Sequence, residues 1–211
     1  MFYSIKSSWW IRKMYRQCTW SIPVKEKIIY LSFDDGPHPD ITPFVLDELK
    51  KYNAKAIFFC IGKNVVSYPS VYKRIIEEGH AIGNHTQHHL NGWKTADKLY
   101  LDDIATAKKY IDSNLYRPPY GKIKLFQLKQ LALPRFNLQT IMWSVLSGDF
   151  DERITKEKCL SNVIKNVTSG SIVVFHDSEK SFDRMQYALK GTLAYFADKG
   201  YKFEKIHSGL L

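Results

Sequence analysis

Short apolar runs alternate with amphipathic segments along most of this chain. Seven runs are rich in Ile, Val, Phe and Tyr and are bounded by Gly, Pro or Asn, as β-strands usually are. These runs are Ile28–Phe33, Ala56–Ile61, Ala81–Thr86, Leu115–Arg117, Thr140–Val145, Ser171–His176 and Lys202–Ile206. The first and the sixth are almost continuously apolar, which is typical of strands that are buried on both faces of a parallel sheet.

Segments in which apolar residues recur at helical spacing lie between these runs. We predict helices at Thr42–Tyr52, Ser70–Glu78, Thr95–Ile111, Ile154–Val167 and Met185–Asp198. The alternation of strands and helices favours an α/β domain with a parallel sheet. Seven strands within 211 residues predict a single-domain (β/α) barrel rather than an open sheet.

Composition narrows the class of protein without naming a function. Apolar residues make up 45% of the chain and charged residues 25%, as in ordinary globular proteins, and no apolar run approaches the ~20 residues of a membrane span. Three cysteines without a C-x-x-C spacing indicate neither a disulfide framework nor a thiolate metal site, and Cys60, which lies inside an apolar run, is predicted to be a buried thiol. The net charge of +10 suits acidic partners, but the basic residues are spread along the chain, so we do not predict nucleic-acid binding.

The first 24 residues form a predicted lead segment that mixes tryptophans with basic residues. They contain no uninterrupted apolar stretch and no small-residue cleavage site of the kind that secretory signals carry. We therefore expect a cytoplasmic or peripherally membrane-associated protein. Two interpretations of the segment remain open: aromatic side chains packed on the domain, or an interfacial helix in contact with an anionic membrane.

Two acidic residues follow the first predicted strand. Asp34 and Asp35 stand before Gly36 and Pro37, which end the strand. Neighbouring strand residues point to opposite faces, so two adjacent acids can share a site only where a strand ends. Of two carboxylates held close together, one can bind a cation while the other takes up a proton. A solvated acidic turn is the alternative.

Histidines cluster after the third predicted strand. His85 and His89 are four residues apart, so one helical turn would place both imidazoles on the same side. Neutral imidazole is a common ligand for zinc and similar metals. His88 could replace His89 at a spacing of three. With Asp35, two histidines give a metal site that keeps positions open for water and substrate, and the same set also fits a non-haem iron oxygenase.

Further polar residues end the later runs. Arg117 precedes the stiff segment Pro118–Gly121, Asp149 follows the fifth run, and His176 ends the sixth. A histidine paired with a carboxylate stays protonated and can donate a proton. Because all these residues lie at the carboxyl ends of different predicted strands, we expect them to meet on the catalytic face of the barrel.

These residues also resemble the five motifs of the polysaccharide deacetylase family, which is carbohydrate esterase family 4 and is defined by the NodB-homology domain. The matching segments, in family order, are Ser32–Gly36, His85–His89, Arg117–Gly121, Ser147–Phe150 and Val174–His176. The resemblance covers almost everything beyond the lead segment, so we assign residues 25–211 to one catalytic domain of this kind.

The resemblance implies a distorted barrel of seven parallel strands and a divalent metal, usually zinc and sometimes cobalt. It implies that Asp35, His85 and His89 hold the metal. It also implies a catalytic set in which Asp34 is the base, Arg117 orients Asp34, the backbone N–H of Tyr120 helps to hold the oxyanion, His176 protonates the leaving amine and Asp149 tunes His176. The implied reaction is removal of N-acetyl groups from hexosamine units of a polysaccharide or oligosaccharide.

Two positions of the fourth motif depart from the family pattern, and the leucine of the fifth motif is Val174 here. The fourth motif usually has an acid three residues before Asp149 and a tryptophan after it, where this chain has Leu146 and Phe150. These changes bear on the substrate more than on the reaction. Two alternatives stay open: deacylation, such as deformylation, of a lipid-linked amino sugar, and a catalytically silent sugar-binding homologue.

Overall fold

The structure, a computed structural model, describes residues 4–210, and these form eight strands, eight α-helices and two short 3-10 helices. The strands are β1 Ile28–Asp34, β2 Ala56–Cys60, β3 Ala81–Asn84, β4 Leu115–Tyr116, β5 Gln139–Thr140, β6 Val145–Leu146, β7 Ile172–His176 and β8 Lys202–Phe203. The α-helices are α1 Trp9–Met14, α2 Ile41–Lys51, α3 Gly62–Ser67, α4 Pro69–Glu77, α5 Asp97–Lys108, α6 Leu125–Leu131, α7 Lys156–Asn166 and α8 Phe182–Asp198. The 3-10 helices are Pro119–Gly121 and Ser208–Leu210.

Seven of the strands follow one another around a curled sheet in the order β5-β4-β3-β2-β1-β7-β6, and β8 pairs with the beginning of β1. Every one of these pairings is parallel. The prediction of a distorted (β/α) barrel with seven parallel strands is therefore confirmed. The five predicted helices are also present, as α2, α4, α5, α7 and α8, whereas α1, α3 and α6 are short and were not predicted.

The fifth predicted strand was wrong as a single element. Thr140–Val145 contributes to two short strands instead, and among the eight strands of the described residues β5 pairs only with β4 and β6 only with β7. The chain between them joins the two ends of the sheet. Here the carbonyls of Ile141 and Met142 accept hydrogen bonds from the side chain of Arg117 at 3.1 and 2.9 Å, and not from a neighbouring strand.

Part of the predicted lead segment is hydrogen-bonded along the connection between β5 and β6, which we call the seam. Lys6 forms an antiparallel bridge to Val145, and Thr19 forms a parallel bridge to Ile141. Between these two bridges the chain forms α1, and Trp20 is buried. The described residues of the segment therefore cover the junction between β5 and β6.

The alternation of side chains in the central strands decides which groups reach the site. Phe33, Phe58 and Phe175 lie side by side with ring centroids 5.0 and 5.9 Å apart, in the apolar layer between sheet and helices. Because side chains alternate along a strand, Asp34 and His176, the residues that follow Phe33 and Phe175, point to the other face, the inside of the barrel. All three cysteines are buried and free, and the prediction of a buried thiol at Cys60 is confirmed. No helix within residues 4–210 is long and apolar enough to cross a membrane.

Candidate active site

The two acids after β1 are separated by a turn in the backbone. Asp35 has φ 83°, in the left-handed region, which turns the chain at the rim of the barrel while Asp34 still faces its interior. The backbone N–H of Gly36 donates to the Asp177 carboxylate at 3.0 Å, and the N–H of Asp177 donates to the carbonyl of Asp34 at 3.1 Å. A Cβ on Gly36 would lie 2.2 Å from the Asp177 carboxylate, so the turn requires glycine at this position.

The histidines are brought together by a loop and not by the helical turn that their spacing predicted. Residues 85–90 are not helical, and Thr86 and His89 have φ values of 65° and 58°. The Asp103 carboxylate on α5 accepts the N–H groups of Gln87 and His88 at 2.9 and 3.0 Å and thereby fixes this loop. A helix would direct those N–H groups back along its own axis. The helical prediction was therefore wrong.

Asp35, His85 and His89 nevertheless meet at the rim. Asp35 Oδ1 lies 3.8 Å from His85 Nε2 and 3.2 Å from His89 Nε2. One ligand atom from each of the three residues lies within 4.8 Å of the others. Asp35 Oδ1 is buried and accepts no hydrogen bond of good geometry from a described residue. A buried carboxylate oxygen left in this way, with two imidazole nitrogens beside it, fits a divalent cation.

The protonation of the ligands also suits a metal. His85 Nδ1 donates to the carbonyl of Arg117 at 2.8 Å, which leaves the lone pair of Nε2 facing Asp35. Burial lowers the pKa of His85 to about 4, so its imidazole is neutral at physiological pH. Burial opposes ionisation of Asp35, but the close approach of His89 and the nearby positive charge of His176 hold its pKa below the ordinary value.

The other histidines of the cluster lie elsewhere. His88 points away, with Nδ1 2.6 Å from Asp103 Oδ1 and 60% of its side chain exposed. It therefore does not replace His89 in the group. His80 is buried, and its Nδ1 accepts the N–H of Ala56, so it belongs to the core.

Arg117 is completely buried and pairs with Asp34. Its guanidinium lies 2.7 Å from Asp34 Oδ1 and donates to Ser32 Oγ at 2.7 Å. The Phe59 ring lies 4.1 Å from the guanidinium carbon. With the two seam carbonyls already described, these contacts hold Arg117 in one orientation, and Arg117 in turn fixes the Asp34 carboxylate.

His176 and Asp149 form a second buried pair. His176 Nδ1 donates to Asp149 Oδ1 at 2.7 Å, and the backbone N–H of His176 donates to Asp149 Oδ2 at 2.7 Å. Burial disfavours the imidazolium, but the charge and hydrogen bond of Asp149 override it and raise the pKa of His176 to about 10. His176 is therefore protonated at neutral pH and can act as an acid.

Tyr120 lies at the corner between the metal-ligand candidates and solvent. Its backbone has φ 60°, its side chain is 53% exposed, and its hydroxyl is 3.1 Å from His89 Nδ1. The next residue, Gly121, packs against Trp143, where a Cβ would lie 2.5 Å from the indole. The backbone of Tyr120 is thus held at the rim beside His89.

Several residues that support the site were not predicted. They are Ser32, which contacts Arg117, Asp103, which fixes the histidine loop, Asp177, which anchors the Gly36 turn, and Arg184, which donates to the carbonyl of Asp149. Of the two departures in the fourth motif, Leu146 is buried in β6, and the Phe150 ring lies edge-on to His176 at 5.4 Å between centroids.

The family model "Polysaccharide deacetylase" matches residues 21–132. The chain is 38% identical over 193 residues to a peptidoglycan-N-acetylglucosamine deacetylase of Bacillus cereus. The aligned region covers 88% of this chain and 89% of that protein. It is 35% identical over 192 residues to the peptidoglycan-N-acetylmuramic acid deacetylase PdaA of Bacillus subtilis, covering 86% and 71% respectively.

A solved structure supports the same assignment. The crystal structure of the Bc1960 peptidoglycan N-acetylglucosamine deacetylase, in complex with an N-hydroxybenzamide, superposes with a TM-score of 0.85 at 30% identity over 95% of both chains. The resemblance inferred from five short motifs is thereby confirmed over the whole domain. This chain belongs to the polysaccharide deacetylase family, carbohydrate esterase family 4.

Proposed function

We propose that this chain is a metal-dependent hydrolase that removes N-acetyl groups from hexosamine units of a polysaccharide or oligosaccharide of the peptidoglycan or chitin kind. The observation that carries the proposal is the meeting of three groups at one end of the barrel. The first group is the triad of Asp35, His85 and His89. The second is the carboxylate of Asp34, which is paired with Arg117, and the third is His176, which Asp149 keeps protonated.

Asp35, His85 and His89 would hold a divalent cation, and their oxygen and nitrogen donors favour zinc or cobalt. Such an ion polarises an amide carbonyl and makes a water molecule more acidic. His85 is kept in the required tautomer by the carbonyl of Arg117. His89 is oriented in the same way by the hydroxyl of Tyr120.

Asp34 is the proposed base. Its side chain is only 5% exposed, and the salt bridge to Arg117 holds one oxygen, so the other oxygen remains to take a proton from the attacking water. The backbone N–H of Tyr120, at the rigid Arg117–Gly121 corner, is the proposed donor to the developing oxyanion.

His176 is the proposed acid for the departing nitrogen. Amine expulsion needs a proton at the nitrogen, and an imidazolium with a pKa near 10 carries one throughout the neutral range. Asp149 acts through His176, since it holds the ring from Nδ1 and leaves Nε2 to face the reaction.

A second candidate is deacylation of a lipid-linked amino sugar, which the exposed tryptophans and basic residues of the N-terminal segment favour. The relatives named above support N-acetylated glycan instead. A silent sugar-binding homologue is disfavoured because every residue of the proposed machinery is in place.

Two substitutions at adjacent positions test the assignment. Asp34→Asn should leave one metal ion per chain and abolish acetate release, because it removes the base but no ligand. Asp35→Asn should reduce metal content and activity together. Metal content is measured by atomic emission, and acetate release is measured on N-acetylglucosamine oligomers, peptidoglycan and acylated lipid sugars.

Substantial turnover by Asp34→Asn would refute the role of Asp34 as base. Acyl release from lipid sugars alone would leave the metal chemistry standing and replace the proposed substrate. Binding of iron with oxygen-dependent turnover would refute hydrolysis altogether.

A further inference from the structure

Helix α1, Trp9–Met14, is fixed to the barrel through one of its faces. Ile11 and Tyr15 pack against the apolar cluster that contains Ile123. The Tyr15 hydroxyl donates to the carbonyl of Ile123 at 2.9 Å, and Trp20 Nε1 donates to the carbonyl of Tyr15 at 3.1 Å. The helix is therefore held in a defined orientation on the domain.

The opposite face of α1 exposes large apolar side chains to solvent. Trp9, Trp10 and Met14 are 73%, 54% and 57% exposed. Trp10 and Met14 are four residues apart, so they are neighbours on the helix surface, and at ~3.6 residues per turn all three side chains fall within about 140° of the helix circumference, opposite Ile11 and Tyr15. We refer to Trp9, Trp10 and Met14 as the tryptophan face. Tryptophan is enriched where proteins meet the headgroup region of membranes.

The charged residues that flank the tryptophan face along the chain are all positive. Lys6, Arg12, Lys13 and Arg16 flank it, and the first acidic residue of the chain is Glu26. Lys6, Lys13 and Arg16 are exposed. An apolar face that is flanked along the chain by exposed cations is complementary to an anionic surface with an apolar interior.

Helix α1 is attached to the barrel next to loops of its catalytic end. The Ile123 carbonyl that accepts from Tyr15 also accepts from Trp93 Nε1 at 3.0 Å. Trp93 follows the loop that carries His85 and His89, and Ile123 follows Tyr120 by three residues. A surface or molecule that binds α1 is therefore held close to the loops that carry His85, His89 and Tyr120.

We propose that the tryptophan face is a docking surface for an anionic lipid bilayer. A projecting helix face with two tryptophans and a methionine, flanked along the chain by cations, suits shallow insertion at the level of anionic headgroups. Lys6, Lys13 and Arg16 reach the lipid phosphates. The docked protein presents its catalytic end next to the membrane.

Vesicle sedimentation with the full chain tests this proposal. We expect binding to phosphatidylglycerol vesicles that weakens with salt, and little binding to phosphatidylcholine vesicles. Trp9→Ala/Trp10→Ala should weaken binding at least about tenfold. Lys13→Glu/Arg16→Glu should weaken it about 25-fold or more, since each basic residue near such a surface contributes about fivefold.

Matched controls remove similar groups elsewhere. Leu99→Ala/Tyr195→Ala deletes exposed apolar side chains on α5 and α8, and Lys50→Glu/Lys165→Glu makes the same charge change on α2 and α7. The proposal expects the apolar control to bind like the wild type, and the charge control to retain at least fivefold more binding than Lys13→Glu/Arg16→Glu.

Equal losses in test and control variants would overturn the proposal, as would equal binding to both kinds of vesicle. The proposal would also be overturned if the wild type did not bind vesicles but bound an insoluble N-acetylglucosamine polymer, and if Trp9→Ala/Trp10→Ala removed that binding. The tryptophan face would then be a glycan-binding surface. Vesicle binding does not depend on catalysis, and acetate release from soluble oligosaccharides does not depend on the vesicle, so the two proposals can fail separately.

Discussion

Replacement of Arg117 by methionine is the most informative perturbation of the buried polar network. Methionine fills much of the same space but leaves the Asp34 side chain, 5% exposed, without its counterion. It also leaves the carbonyls of Ile141 and Met142 without the donors that now lie at 3.1 and 2.9 Å.

The magnitude follows from these losses. Removing one partner of a buried ion pair costs about 3–5 kcal/mol, and each buried carbonyl left without a donor costs about 1–3 kcal/mol. The losses overlap, so we expect Arg117→Met to lower the free energy of unfolding by about 5 kcal/mol. That is a large part of the total stability of an ordinary domain.

A double-mutant cycle separates the ion pair from the rest. Asp34→Asn removes the charge that Arg117 compensates, so Arg117→Met should cost at least about 2 kcal/mol less in the Asp34→Asn background than in the wild type. Urea unfolding at pH 7, monitored by circular dichroism, gives the free energies of unfolding of the wild type, the two single variants and the double variant. Chelator is present because a bound metal would add its own stabilisation.

Additivity of the two substitutions within about 0.5 kcal/mol would refute the reasoning, since it would mean that Arg117 does not stabilise the charge of Asp34. If Arg117→Met does not fold, Arg117→Lys takes its place in the cycle. Lysine keeps the positive charge but cannot reach Asp34 and both carbonyls at once, so the coupling to Asp34→Asn should keep its sign but be smaller, together with a smaller stability loss.

Three further predictions concern the site. Asp149→Asn should move the alkaline limb of the activity profile to lower pH by several units from near pH 10, because Asp149 raises the pKa of His176 whereas burial lowers it. An unchanged alkaline limb in a pH–rate series would contradict the role of His176 as the acid. His89→Ala should abolish stoichiometric zinc binding in calorimetry while His88→Ala retains it, and the reverse result would assign the ligand to His88. Gly36→Ala should weaken metal binding and lower the free energy of unfolding in urea by at least about 2 kcal/mol, because the added Cβ would lie 2.2 Å from the Asp177 carboxylate. Metal binding and stability equal to those of the wild type would contradict this prediction.

Much of the fold could be predicted from apolar periodicity. Ile28–Phe33 and Ser171–His176 are buried on both faces, and sequences of this kind have few alternatives to a central parallel strand. The polar residues that end these strands could also be placed together, because the carboxyl ends of parallel strands meet on one face. Asp34, Asp35 and His176 follow from that argument.

The remaining features depend on long-range contacts that spacing does not reveal. The loop from His85 to His89 leaves helical geometry because Asp103, fourteen residues further along the chain than His89, captures its N–H groups. The fifth run divides because Arg117 binds the carbonyls at its centre. Helix α1 has only six residues and is held by Tyr15 and Trp20, which periodicity alone could not show.

The central claim is tested most directly by acetate release from N-acetylglucosamine oligomers before chelation, after chelation and after zinc or cobalt is added back. The account predicts activity in the first state, loss of activity in the second and recovery in the third, with one metal ion bound per active chain. Asp35→Asn should not recover at the same metal concentration. Full activity in the chelated, metal-free protein would contradict the account.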